Sequence, residues 1–331
     1  MTLFTVRAWP RAVRWAVGLT LAGFVALNGL AFFHARAMTH FAATGRRTPE
    51  AECLGFIEKI EVICRGITVP RPVNLHSPAN LDLAFETVTL TGAHGLRLEA
   101  WHVRQTNALG TVLLFHGYTG SKDSLLDAGK EFAGLGYDTL LVDFYGSGGS
   151  AGSETSVGYY EAEDVAAAYR WARATAPDRP VILYGVSMGA AAVIRAVGVL
   201  GIEPEALILE CPFDRLLTTV KNRFAAMRLP AFPAAQLLVF WGGVQQGFNG
   251  FGFNPAEDLR AVRCPVLLMH GGQDARVKPA EVEHLARSLN RDSVLKVFPG
   301  APHQTYVGSR TEEWRASVLQ FLQRSPALRV R

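Results

Sequence analysis

At 331 residues with 49% hydrophobic side chains, the chain is long enough for one large α/β domain and can bury a sizeable core. Its formal charge of +4 is unevenly placed: the first fifty residues hold six arginines and one glutamate, and the remainder sums to −1. The basic balance therefore belongs to the leader. With no stripe of basic residues interleaved with aromatics, it points to no nucleic-acid partner.

Trp15 to Phe33 is almost unbroken apolar sequence, with Thr20 and Asn28 its clearly polar members. As a helix, nineteen residues extend about 28 Å, enough for the hydrocarbon core of a bilayer. Arg7, Arg11 and Arg14 precede the stretch, and Arg36, Arg46 and Arg47 follow it. Trp15 and Phe32-Phe33 stand where interfacial anchors would. Residues 1–38 are thus expected to be a single-pass membrane anchor. A signal peptide cleaved near Ala35-Arg-Ala37 is the competing reading. Equal arginine counts on the two flanks fix no orientation, but a short basic tail usually stays in the cytoplasm, so an extracytoplasmic catalytic body is expected. A preference for arginine over lysine suggests a GC-rich bacterial coding sequence.

Residues 39–79 read as an amphipathic helix and a linker. Thr48 is expected to cap the helix, Pro49 to open it and Gly66 to stop it, with Cys53, Phe56, Ile57, Ile60, Ile63 and Cys64 on its apolar face. The two cysteines would lie too far apart along one helix to bond, and Cys211 and Cys264 fall at opposite ends of strands, so four free thiols are expected.

From residue 80 onward apolar strands alternate with amphipathic helices, after a hairpin turning at Gly92-Ala-His-Gly95. This pattern predicts a mainly parallel sheet covered by helices on both faces. The strand Val181 to Tyr184 runs into Gly185-Val-Ser187-Met-Gly189 and then a helix, the context in which G-x-S-x-G holds a nucleophile on a strained turn. Two later strands end in loops carrying Asp274 and His303, and carboxyl ends of strands are where open α/β sheets place chemistry. His303 is expected to take the Ser187 proton, with Asp274 orienting the imidazole. The N–H groups of Tyr118, after the glycine of His116-Gly117, and of Met188 are the expected oxyanion hole. His116 reads as a structural hydrogen-bonder. The loop Asp143-Phe-Tyr-Gly146-Ser-Gly148-Gly-Ser150 has neither dinucleotide nor P-loop spacing and is expected to line the mouth of the site. No cluster has metal-ligand spacing, so neither a metal nor a cofactor is expected.

Together these motifs resemble the α/β-hydrolase superfamily over roughly residues 80 to 325, and Cys264-Pro-Val-Leu-Leu-Met-His-Gly with the serine elbow looks most like its serine-aminopeptidase and prolyl-oligopeptidase-like branch. The resemblance implies an α/β-hydrolase fold, a serine hydrolase with an acyl-enzyme, and a cap at about residues 214–262. In that insert Phe240, Trp241, Phe248, Phe251 and Phe253 could form an acyl pocket or pack the cap onto the core. Arg223 and Arg228 could meet a carboxylate or phosphate, or simply face solvent. The expected substrate is a small or lipid-like ester or thioester. An aminopeptidase, needing an acidic anchor such as Glu210 or Asp214, and a non-enzymatic binding protein are the alternatives.

Overall fold

A computed structural model describes residues 9–49, 53–92 and 95–325. Arg7 and the hairpin-turn residues 93 and 94 lie outside them. Eight strands form one sheet: β1 Glu86–Thr91, β2 Arg97–Val103, β3 Thr111–Phe115, β4 Asp138–Val142, β5 Val181–Val186, β6 Ala206–Glu210, β7 Val266–Gly271 and β8 Val294–Phe298. Their order is β1-β2-β4-β3-β5-β6-β7-β8. β1 and β2 form the expected antiparallel hairpin, β2 pairs antiparallel with β4, and every pairing from β4 to β8 is parallel. β3 to β7 are buried along their whole length, as near-continuous apolar runs of a doubly covered sheet should be.

The two faces carry separate cores. On one, Val165 and Ala168 of α4 (Glu161–Thr175) and Ala190, Val193 and Ile194 of α5 (Met188–Gly198) pack against Leu113, Leu183 and Leu207. On the other, Phe132 of α3 (Leu126–Gly134) and Trp314, Val318 and Phe321 of α10 (Thr311–Arg324) cover Leu114, Tyr184 and Ile208. Burying such an aromatic or aliphatic side chain is worth about 1.5–3 kcal/mol.

α1 (Arg11–Thr39) continues past the apolar run, and its two halves differ. Trp15, Leu19, Phe24 and Val25 are exposed, whereas Ala31, Ala35 and Thr39 are buried. The second half packs on α7 (Ala234–Gln246): Trp241 Nε1 donates to Asn28 Oδ1 at 3.2 Å, and Gln245 Nε2 donates to the Phe32 carbonyl at 2.8 Å. The apolar stretch is therefore partly a docking surface for the cap.

α2 (Phe56–Arg65) is shorter than its sequence pattern suggested. Thr48 does not cap it; its hydroxyl accepts the Thr68 N–H at 2.8 Å and its own N–H donates to the Thr68 carbonyl at 3.0 Å. The cap is instead Gly55, whose N–H donates to the Glu58 carboxylate at 2.7 Å. The apolar face of α2 is open, with Phe56 and Ile57 both 79% exposed, and the His34 ring holds the helix to α1 through the Ile63 carbonyl, 3.1 Å away. All four cysteines are free.

The cap comprises α6 (Leu216–Ala226), α7 and α8 (Pro255–Asp258). α7 runs through Gly242-Gly243. The second glycine is required by close approach, since a Cβ on Gly243 would lie 2.5 Å from the Phe248 carbonyl oxygen.

Candidate active site

β5 delivers Ser187 to the turn before α5, at φ 52° and ψ −111°, a conformation that costs an L-residue on the order of 1–3 kcal/mol. Both flanking glycines are required by contact. A Cβ on Gly185 would meet the Ala190 nitrogen at 2.7 Å, and one on Gly189 would lie 2.4 Å from the Phe115 carbonyl oxygen. The Ser187 N–H donates to the Glu210 carbonyl at 2.8 Å, which fastens the turn to the neighbouring strand.

The loops after β7 and β8 bring two further side chains to this serine. His303 Nε2 lies 3.0 Å from Ser187 Oγ, and His303 Nδ1 lies 2.7 Å from Asp274 Oδ2. The other Asp274 oxygen accepts the N–H groups of Arg276 and Val277, each at 2.8 Å. Burial alone would raise the Asp274 pKa, but the His303 hydrogen bond and charge, with those two N–H groups, hold it below the usual value. An ionised Asp274 only accepts, so Nδ1 carries the imidazole proton and Nε2 is free to accept from the Ser187 hydroxyl.

Gly117 abuts the serine: a Cβ there would come within 3.7 Å of Ser187 Cβ. Tyr118 follows, and Met188 opens α5, where a helix leaves N–H groups without intrahelical partners. The Tyr118 phenol donates to the Met38 carbonyl in the last turn of α1, at 2.6 Å. Eighty residues separate the two, so only the fold brings them together.

His116 is fully buried, with Nδ1 2.9 Å from the Gly117 carbonyl and Nε2 accepting the Phe144 N–H at 3.2 Å. Burial lowers its pKa, so it stays neutral. Asp143 is equally buried and accepts from Lys122, Asn74 and the Gly149 N–H. Arg71 gathers the Gly148, Ser150 and Gly152 carbonyls and ties the linker to the glycine-rich loop.

The five cap aromatics do not form one pocket. Phe253 is fully buried where the cap meets the body, in a cluster with Leu216, Ala191 of α5 and Val277. Phe248 stacks on Tyr159 with centroids 4.1 Å apart, and Trp241 packs edge-on against Phe32 of α1 at 5.4 Å. Phe240 and Phe251 are exposed and share with Phe248 an outer groove of about 350 Å³. Aromatic content indicated that the insert packs on something; it carried no record of which ring meets which surface.

Cys211 reads from the sequence only as a free thiol at a strand end, with nothing to place it beside His303. Its sulfur lies 4.0 Å from His303 Nε2, and with Asp274 and His303 it makes up the one group of metal-ligand side chains among the described residues. Burial, then the nearby Asp274 and Glu210 charges, push its thiol well above the usual range, so it is a neutral thiol there.

The strand order, the helices on both faces and a serine on the turn between β5 and α5 place the protein. The chain has the α/β-hydrolase fold. Residues 106–245 match the model of the serine aminopeptidase, S33, family. The esterase Pf2001 of Pyrococcus furiosus superposes with a TM-score of 0.64 and 26% identity, over 77% of this chain and 98% of its own. Protein YqkD of Bacillus subtilis is 24% identical over 236 residues, 70% of this chain and 77% of YqkD. The lysophosphatidylserine lipase ABHD12 of Rattus norvegicus is 29% identical over 184 residues, 54% of this chain; the chain spans 44% of that lipase's length.

Proposed function

We propose that the protein is a membrane-anchored serine hydrolase that cleaves carboxylic esters or thioesters of apolar acyl groups. The observation that carries this reading is the chain Asp274–His303–Ser187, with links of 2.7 and 3.0 Å, on a serine held at positive φ. In this mechanism His303 Nε2 removes the Ser187 proton as Oγ attacks the acyl carbon. The N–H groups of Tyr118 and Met188 receive the developing oxyanion. His303 then protonates the leaving alcohol or thiol, and a water deprotonated by the same nitrogen releases the acid from the acyl-enzyme. Losing one such oxyanion donor typically costs on the order of 10²–10³ in kcat.

The esterase and the lysophospholipid lipase among the relatives support ester chemistry on a lipid-like substrate. Membrane attachment rests on α1, the one helix among the described residues long and apolar enough to span a bilayer, and on the open apolar face of α2 beside it. Both acidic anchors considered for an aminopeptidase are buried and bonded to other side chains. Glu210 is fully buried and accepts from Trp314 Nε1 at 2.6 Å, and Asp214 lies 2.9 Å from His284 Nδ1. A fluorophosphonate probe tests the assignment on the full chain in detergent. Labelling is expected for the native protein and absent in Ser187→Ala, and labelling that survives the substitution would overturn it.

A further inference from the structure

We propose that Arg47 and Arg223 form a recognition site for an anionic group, a phosphate or carboxylate, placed a few bonds from the scissile ester. The inference deepens the ester-hydrolase reading above and rests on it. α6 crosses the site with two consecutive residues doing different work. Asn222 donates to the Arg276 carbonyl at 2.9 Å and to Glu281, so it holds α6 to the loop that carries Asp274. Arg223, the next residue, turns about 100° around the helix and lies over the Tyr118 ring, with its guanidinium carbon 5.2 Å from the centroid. Arg47 comes from the segment after α1 and donates to Thr119 Oγ1 at 2.6 Å. The two cations thus take hold of adjacent residues in the loop that offers the Tyr118 N–H to the oxyanion.

Neither guanidinium has a carboxylate within ion-pairing distance among the described residues, whereas Arg104, Arg173, Arg179, Arg260 and Arg315 all do. Both charges are felt at the Tyr118 phenol, where they pull its pKa down against the larger upward push of burial. Two guanidinium groups without a carboxylate partner among the described residues, both held against the Tyr118-Thr119 loop, favour an anion there, and their planar forks suit phosphate and carboxylate oxygens. A neutral acyl chain would gain nothing from them. A single-chain ester with an acidic headgroup would place its acyl carbon at Ser187 and its charge between the two arginines.

The test uses the full chain in one detergent with a matched pair, 1-oleoylglycerol 3-phosphate and neutral 1-oleoylglycerol, and 1-oleoylglycerol 3-succinate as the carboxylate arm. The readout is the ratio of kcat/KM for the acidic and the neutral ester. The native ratio is expected to exceed one. Arg223→Gln and Arg47→Gln are each expected to lower it about tenfold, mainly through KM, the scale of one lost charged hydrogen bond. Arg291→Gln, the same charge change at a remote exposed site, serves as control. Ratios unmoved in both site variants, or moved equally in the control, would overturn the anion site and leave the hydrolase standing. No turnover of any of the three esters by a fluorophosphonate-reactive protein would overturn the ester reading itself. A fall confined to the phosphate or to the succinate ester identifies which acid the site takes. Probe labelling of each variant verifies that it is folded.

Discussion

Glu210 provides the sharpest quantitative test of the packing behind the serine. Its carboxylate is fully buried, with Oε1 accepting from Trp314 Nε1 at 2.6 Å and Oε2 from the Tyr306 N–H at 3.1 Å. Burial raises its pKa from 4.5 to about 7, against the pull of those donors. A carboxyl that binds its proton more tightly in the folded state contributes stability that is complete below pH 4.5 and lost as pH rises through 7. The shift corresponds to about 3 kcal/mol, most of which falls between pH 5 and pH 8. Glu210→Gln removes the titration while keeping the shape. Urea unfolding of the native and Gln proteins at both pH values gives a double difference in which every other titrating group, and any constant cost of the altered hydrogen bonds, cancels. The native protein should lose about 2–3 kcal/mol more than the variant on going from pH 5 to pH 8. A double difference within about 0.5 kcal/mol of zero would refute the argument, because it would mean that the carboxyl titrates alike folded and unfolded.

Two further outcomes follow from the geometry around the serine. Gly189→Ala should abolish fluorophosphonate labelling and lower the melting temperature, since the new Cβ meets backbone oxygens of Phe115 and His116 at 2.4 and 2.6 Å and cannot be accommodated by a rotamer change; normal labelling would refute the strained-turn account. Tyr118→Phe keeps the ring under Arg223 but removes the hydrogen bond to Met38, and kcat for neutral and acidic esters alike should fall about fivefold to tenfold, on the scale of one lost hydrogen bond. An unchanged kcat would show that the loop holds its place without α1.

The sequence carried the parts of this molecule that depend on local pattern. Apolar runs with Gly185 and Gly189 around Ser187 specified a strand, a strained turn and a helix, and strand-end loops located Asp274 and His303 on the edge of the sheet where the structure brings them together. What stayed illegible depends on pairs far apart in the chain. The apolar face of α1 has the same composition whether it meets lipid or α7, so the docking of Trp241 on Phe32 left no mark. Helical periodicity in residues 48–66 announced an amphipathic helix, but a backbone partner for Thr48 twenty residues away shortened it to Phe56–Arg65. The partners of the Tyr118 phenol and of Glu210 likewise arise from closure of the fold, and nothing near them in sequence anticipates Met38 or Trp314.

The bond from Tyr118 to Met38 also sets a height. Met38 lies five residues beyond Phe33, the end of the apolar run, which is about 8 Å of helix rise. The headgroup layer on each side of a bilayer is itself only about 5–8 Å deep. With α1 embedded and the Tyr118 N–H in the oxyanion role proposed above, this loop would be tied to the membrane helix at the depth where glycerol esters lie. A substrate would then arrive by sideways diffusion within the leaflet and would not need to be lifted into water. The quantity that governs turnover would be its mole fraction among the surrounding lipids, and adding inert lipid would slow the enzyme without changing either concentration in bulk.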